Sequence, residues 1–224
     1  MKWRKKDVDL RPDYEIAGRA AAAKAAAQLP EGQQRDVAAF FDIDNTVMRG
    51  ASIFHLARGV AARRLLRTSE ILDVAWKQTK FLASGSENPQ DMKAATEAAL
   101  AFVKGRRVSD LLEFAEQIFD ERMVKKLWPG TLAIAHDHLG QGHQVWFVST
   151  TPVEAAKLIA DRLGLTGALG TVAEIVDGVY TGRLAGLPLH GPAKAEAVKA
   201  LAERESMNLM DCFAYSDSSN DIPM

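Results

Sequence analysis

The sequence predicts an α/β fold, with helices on both faces of a parallel sheet and an all-helical insert after the first strand. Short apolar runs alternate with segments of helical periodicity along much of the 224 residues, a pattern typical of parallel sheets. Between about Ile53 and Trp128, the apolar residues have helical spacing. We therefore expect the following division: a leader over residues 1–36, a core over 37–52 and 129–224, and a helical insert over 53–128.

The composition excludes several classes of protein. Hydrophobic residues make up 47% and charged residues 25% of the chain, which is enough for an ordinary buried core. The formal net charge of -1 provides no overall field for nucleic acid or an anionic membrane, so we expect neither as a partner. The single cysteine, Cys212, excludes an internal disulfide, and no apolar run is long enough to span a bilayer. We expect a cytoplasmic protein, of an oligomeric state that these residues do not indicate.

The leader has a basic start and an alanine-rich stretch at Ala20 to Ala27. Alanine favours helix, but few large side chains are present to dock such a helix on a core. We expect a leader that is partly helical or mobile. A nucleic-acid-binding arm is the weaker alternative, because short charge runs are usually just solvated.

The first half of the chain contains one predicted strand and the insert. Val37 to Phe41 is a short apolar run that ends at the polar motif Asp42-Ile43-Asp44-Asn45-Thr46. The insert is predicted to hold about four helices, one of which has Pro89 at its first position and Asn88 as its cap.

The second half alternates strands and helices after a boundary at Pro129-Gly130. A helix to about Leu139 precedes an apolar strand from His143 to Thr150. Thr151 to Glu154 has the spacing of a capping box, which predicts a helix start.

Three further elements complete the predicted core. Asp177-Gly178 predicts a hairpin turn between strands at Val172–Val176 and Val179–Leu184. A helix from Pro192 to about Arg204 then leads to a last strand, Cys212 to Ser216.

Polar residues follow three of the predicted strands, at the sheet edge where parallel α/β folds bind ligands. They are Asp42 and Asp44, then Ser149 and Thr150, then Asp217, Asn220 and Asp221. Several carboxylates in one place repel one another unless a cation is present, and Mg²⁺ prefers oxygen ligands. Taken alone, the Asp42-x-Asp44 pair is equally compatible with an ordinary turn.

Lys194 lies near the start of a predicted helix, where the helix dipole disfavours a cation. This placement suggests an anionic partner, although a solvent-facing lysine is the alternative.

These four motifs, in this order, resemble those of the haloacid dehalogenase superfamily, and the insert resembles the small cap of its phosphoserine-phosphatase-like branch, subfamily IB. The resemblance runs from about Val37 to the end and implies a Rossmann-like core. It implies Asp42 as nucleophile, Asp44 as general acid and base, and Lys194 as the neutralising cation. It also implies phosphate binding by Ser149, Thr150 and Asn220, and Mg²⁺ held by Asp42, Asp44 (through its backbone carbonyl), Asp217 and Asp221.

The resemblance therefore implies a magnesium-dependent phosphatase that hydrolyses a small phosphate ester through an aspartyl-phosphate on Asp42. A phosphotransferase, or a binding or regulatory protein that keeps the fold without turnover, are the alternatives.

Two departures from the family pattern argue against phosphoserine as the substrate. Ala51 stands where phosphoserine phosphatases carry a glutamate, and Thr150-Thr151 stands in place of two glycines. Arg49 and His55 are further candidates for substrate contact, with ordinary surface residues as the alternative. Relatives also continue beyond the fourth motif, so we expect either a truncated chain or an open sheet edge after Met224.

Overall fold

The computed structural model describes residues 11–26, 36–62 and 89–224. Four parallel strands form the main sheet in the order β3-β2-β1-β6, and β4 and β5 form a separate antiparallel hairpin. The strands are β1 (Ala38–Phe41), β2 (Gln144–Pro152), β3 (Gly167–Thr171), β4 (Ala173–Val176), β5 (Val179–Leu184) and β6 (Phe213–Tyr215). The helices are α1 (Arg11–Ala26), α2 (Ser52–Ala62), α3 (Pro89–Val103), α4 (Val108–Ile118), α5 (Pro129–Gly140), α6 (Val153–Arg162) and α7 (Pro192–Glu205).

Alternation along the central strands fills a separate apolar core on each face of the sheet. Phe41 and Phe147 point to one face, while Phe40 and Trp146 point to the other, and all four are buried. The mixed α/β architecture predicted from the sequence is confirmed. Among the described helices, none has the length and apolar character needed to cross a membrane.

The alanine-rich part of the leader is a packed helix rather than a loose one. Ala17, Ala21 and Ala25 of α1 are buried against the core, and α1 lies along α7. A β-carbon at Gly18 would come within 2.6 Å of the Glu196 carbonyl carbon. Small side chains therefore allow close backbone approach here. The basic start of the leader lies outside the described residues.

Strand β3 is an element that the sequence analysis missed, because two of its five residues are glycines. A β-carbon at Gly167 would lie 2.6 Å from the Trp146 ring, and one at Gly170 would lie 2.6 Å from the Val153 Cα. At these two positions the neighbours of β3 thus leave no room for the β-branched residues by which strands are usually recognised.

The predicted capping box at Thr151 to Glu154 does not form. Strand β2 continues through Pro152, α6 begins at Val153, and no side chain caps the helix. The Thr151 hydroxyl instead contacts Ser52, and Glu154 pairs with Lys24 of α1. Tertiary partners have therefore replaced the local ones.

The first helix of the insert, α2, begins at Ser52, one residue before the expected boundary, so Ser52 belongs to the insert. The other described parts of the insert are α3 and α4, followed by a π-helical turn at 119–123 and a 3-10 turn at 124–126. Pro89 begins α3 as predicted, while Asn88 lies outside the described residues.

The insert pairs with the hairpin through its main chain. Gly105 N–H donates to the Tyr180 carbonyl (2.8 Å), Tyr180 N–H to the Arg106 carbonyl (3.0 Å), and Val108 N–H to the Gly178 carbonyl (2.9 Å). This bridge joins the α3–α4 turn to β5.

Candidate active site

Asp42 follows the last residue of β1 and is only 5% exposed. Its main-chain N–H donates to the Tyr215 carbonyl of β6 at 2.9 Å, which fixes the backbone at the carboxyl edge of the sheet. Burial raises the pKa of Asp42 from 3.8 to about 7, although Lys194 acts in the opposite direction. The carboxylate is thus desolvated, with one strong cationic partner.

Lys194 is the cation of this site and is 3% exposed. Its Nζ donates to Asp42 Oδ1 and to Asp221 Oδ2, both at 2.7 Å. Burial alone would lower the pKa of Lys194, but the two carboxylates outweigh it and raise the pKa. Ser216 also donates to Asp221 Oδ2 at 2.8 Å. The anionic partners that the sequence suggested for Lys194 are therefore Asp42 and Asp221.

Asp44 contacts the start of the insert rather than Lys194. Its Oδ1 accepts hydrogen bonds from the Ser52 main-chain N–H at 2.8 Å and from the Ser52 hydroxyl at 2.6 Å. Burial raises the pKa of Asp44, while the bonds from Ser52 lower it in part. The two aspartates of the first motif thus have different partners, one on the core and one on the insert.

Thr46 lies between two carboxylates that come from different strands. Its hydroxyl oxygen is 3.4 Å from Asp42 Oδ2 and 3.2 Å from Asp217 Oδ1, and it accepts a 3.0 Å bond from the Asp217 N–H. One hydroxyl proton serves only one of these oxygens at a time. The two carboxylate oxygens therefore lie near the same hydroxyl, and carboxylate oxygens are ligands that a hard divalent cation prefers.

Side chains alone would not complete such a metal site. Over residues 11–26, 36–62 and 89–224, no three His, Cys, Asp or Glu side chains form a group that could hold a metal ion. Backbone and water oxygens would have to supply the remaining ligands, as is common for Mg²⁺.

The predicted phosphate-binding residues differ in exposure and in partners. Ser149 is fully buried, and its Oγ accepts a 3.1 Å bond from the Thr151 N–H. The Thr150 hydroxyl donates to the Leu189 carbonyl at 3.1 Å. Asn220 is exposed on a short 3-10 turn beside Asp221. Their phosphate-binding roles stay predictions.

Arg49 and His55 lie at the junction of core and insert. The Arg49 guanidinium stacks over Trp128, with 4.6 Å to the ring centroid, and the His55 ring contacts the Arg49 carbonyl at 3.0 Å. Both residues therefore hold structural contacts of their own, and substrate contact by either one stays a prediction.

Ser52, Thr151 and Ser216 were not identified from the sequence. Ser52 immediately precedes the helical periodicity that begins at Ile53, and this position is the one local signal it offers. For Thr151, the capping-box spacing predicts a helix cap instead. Hydroxyl residues are common near turns, so the sequence does not show that Ser52 contacts Asp44, that Thr151 contacts Ser52, or that Ser216 contacts Asp221.

The sequence matches the family model of haloacid dehalogenase-like hydrolases over residues 39–224. The phosphoserine phosphatase SerB1 of Mycobacterium tuberculosis is 52% identical over 187 residues, which cover 84% of this chain and 61% of that protein. The chain therefore spans about three fifths of the length of this relative.

Solved structures have a similar fold. A protein of unknown function from Bordetella pertussis gives a TM-score of 0.71 at 23% identity and covers 84% of both chains. A substrate-bound phosphoserine phosphatase gives a TM-score of 0.56 at 22% identity, covering 86% of this chain and 82% of its own.

Proposed function

The chain belongs to the haloacid dehalogenase-like hydrolase family, and on that premise we propose that it hydrolyses phosphate monoesters through a phosphorylated Asp42, with Mg²⁺ as cofactor. The observation that carries the proposal is the burial of the Asp42 carboxylate and the different neighbours of its two oxygens. This carboxylate is buried at the carboxyl edge of the sheet, with Lys194 on Oδ1 and the Thr46–Asp217 pair beside Oδ2. One oxygen thus lies next to a cation and the other lies next to the candidate metal site.

Phosphoryl transfer to Asp42 would be the first step. The Oδ1 oxygen attacks phosphorus, the bond from phosphorus to the ester oxygen breaks, and its electron pair leaves on that oxygen. Asp44 gives its proton to the leaving oxygen, so an alcohol departs. Lys194 donates to Asp42 Oδ1, so it would lie beside the negative charges of nucleophile and phosphate and reduce their repulsion.

Hydrolysis of the acyl phosphate would be the second step. A water oxygen attacks phosphorus, Asp44 accepts the proton of that water, and the bond from phosphorus to Asp42 breaks. Inorganic phosphate leaves, and Asp44 is again protonated. The same group therefore acts as acid and then as base. Burial raises the pKa of Asp44, which favours the protonated form that the first step needs.

Mg²⁺ would be held by the Asp42 and Asp217 carboxylates and by the Asp44 backbone carbonyl. Asp221 already accepts bonds from Lys194 and Ser216, so it would support the metal through water. When bound, Mg²⁺ supplies charge that offsets the phosphoryl oxygens. Ser149 and Asn220 would donate hydrogen bonds to those oxygens, with Thr150 beside them.

The substrate is proposed only as a class, small phosphate monoesters. The name of the 52% identical relative makes phosphoserine the first substrate to test. Ala51, however, offers no carboxylate for an ammonium group at the junction of core and insert. A comparison of phosphoserine with esters of the same size that lack the amino group therefore tests whether this chain recognises the amino acid part.

The decisive experiment measures release of phosphate from an aryl phosphate with and without Mg²⁺. We expect Mg²⁺-dependent turnover that Asp42→Asn abolishes, while Asp211→Asn, an exposed turn carboxylate, leaves it unchanged. Acid-quenched protein should carry one phosphoryl group by mass spectrometry. A folded native chain without turnover would overturn the proposal, and transfer of phosphate to an added alcohol instead of water would indicate a phosphotransferase.

A further inference from the structure

Ser52 is a wholly buried polar residue that directs both of its donors at one oxygen. It is 0% exposed, and its N–H and its hydroxyl both contact Asp44 Oδ1, at 2.8 and 2.6 Å. It lies at the first position of α2, so the positive end of that helix also faces the carboxylate. An oxygen that accepts two donors is a poor place for a proton. The exchangeable proton of Asp44 is thereby directed to Oδ2.

Thr151 determines the orientation of the Ser52 hydroxyl. Thr151 is 2% exposed, and its Oγ1 makes a hydrogen bond with Ser52 Oγ. Since the single Ser52 proton is donated to Asp44, Thr151 must be the donor in this second bond. The hydroxyls therefore form a one-way chain from Thr151 to Ser52 to Asp44.

We propose that Ser52 and Thr151 are positioning residues that orient Asp44 for proton transfer to the leaving group. The inference rests on the proposed function and names two residues that act through the acid rather than on the substrate. Ser52 belongs to the insert and Thr151 to the core strand β2, so Asp44 is oriented only while these two parts stay in contact. Neither residue touches the reacting phosphate in this scheme.

The consequence for the reaction depends on the leaving group. When the bond between phosphorus and the ester oxygen breaks, an alkoxide needs the Asp44 proton, whereas 4-nitrophenolate leaves without one. A misoriented acid therefore slows alkyl phosphates and spares 4-nitrophenyl phosphate. General acid catalysis typically contributes about 10²-fold to 10⁴-fold, so partial loss of orientation is expected to remove roughly 10-fold to 100-fold.

The test compares kcat/KM for an alkyl phosphate and for 4-nitrophenyl phosphate in matched variants. Ser52→Ala and Thr151→Val remove a hydroxyl each, whereas Thr151→Ser keeps it. We expect a loss of roughly 10-fold to 100-fold on the alkyl ester in the first two variants and less than about 3-fold on the aryl ester. Thr151→Ser should retain near-native values on both.

A double variant separates the proposed chain from independent effects. Because Thr151 acts through Ser52, Ser52→Ala combined with Thr151→Val should lose no more than Ser52→Ala alone. Equal losses on both esters would mean that the residues only support the fold, and would overturn the proposal. Additive losses would overturn the chain from Thr151. If the native chain turned over neither ester, the proposed function would fail, and this inference with it.

Discussion

Replacing Asp42 by asparagine is expected to stabilise the metal-free protein at alkaline pH. Burial raises the pKa of this carboxyl from 3.8 to about 7, against the opposing effect of Lys194. The folded chain therefore holds the proton more tightly than the unfolded chain does. The contribution of protonated Asp42 to the free energy of unfolding is complete below about pH 4 and is lost as the pH rises to about 7. Above that value the free energy of unfolding changes no further on account of Asp42.

The magnitude follows from the two pKa values. The interval from 3.8 to about 7, at about 1.4 kcal/mol per pH unit, corresponds to about 4 kcal/mol of unfolding free energy. Asparagine has nearly the same shape and does not ionise, and Lys194 keeps Asp221 as a partner. The variant should therefore not lose the free energy of unfolding that the native protein loses when Asp42 ionises.

Urea unfolding in the presence of a chelator measures this effect at about pH 4 and about pH 8. The unfolding free energy of Asp42→Asn minus that of the native chain should increase by about 4 kcal/mol between the two conditions. Ser149→Ala is the control, because it changes the same site without removing a titrating group. Addition of Mg²⁺ at the higher pH should reduce the difference by binding the native carboxylate. The same difference at both pH values would refute the reasoning.

Three further predictions concern stability. Lys194→Met leaves two buried carboxylates without their cation, so urea unfolding at neutral pH should show a loss of about 3–5 kcal/mol; an unchanged midpoint would contradict the burial described. Gly18→Leu forces α1 away from the α7 backbone and should lower the free energy of unfolding by about 1–3 kcal/mol, whereas Gly140→Leu, which meets open space, should not. Lys24→Met should cost about 1–3 kcal/mol by leaving the buried Glu154 carboxylate without its cation, and the added Glu154→Gln should recover part of that loss in thermal unfolding.

The sequence predicted those parts of the fold whose signals are local. Apolar runs such as the one ending at Phe41 predict the central strands, and Asp177-Gly178 predicts the hairpin. Both residues of that turn have positive φ, at 51° and 76°. The polar residues after the strands follow from the same logic, because parallel strands present their carboxyl ends at one edge.

The sequence could not predict elements whose residue types depend on contacts with residues far away along the chain. In β3, the Trp146 ring and the start of α6 leave room only for glycine at two positions, so the apolar pattern typical of a strand is absent. Thr151 and Glu154 have capping-box spacing, yet their side chains bind Ser52 and Lys24 from other elements. The alanine-rich sequence of α1 offers few large side chains for docking, but its small side chains allow the close approach to α7. In each of these segments, contacts with residues of other elements determine the local structure.

The bridge between the α3–α4 turn and β5 has a consequence for ligand entry. A rotation of the insert relative to the hairpin breaks the three main-chain hydrogen bonds of Gly105, Tyr180 and Val108. At about 0.5–1.5 kcal/mol each, this opening costs about 1.5–4.5 kcal/mol. A ligand that enters only the rotated form would bind roughly 10-fold to 2000-fold more weakly than its contacts alone provide. For such a ligand, the hairpin would lower the apparent affinity without a contact of its own.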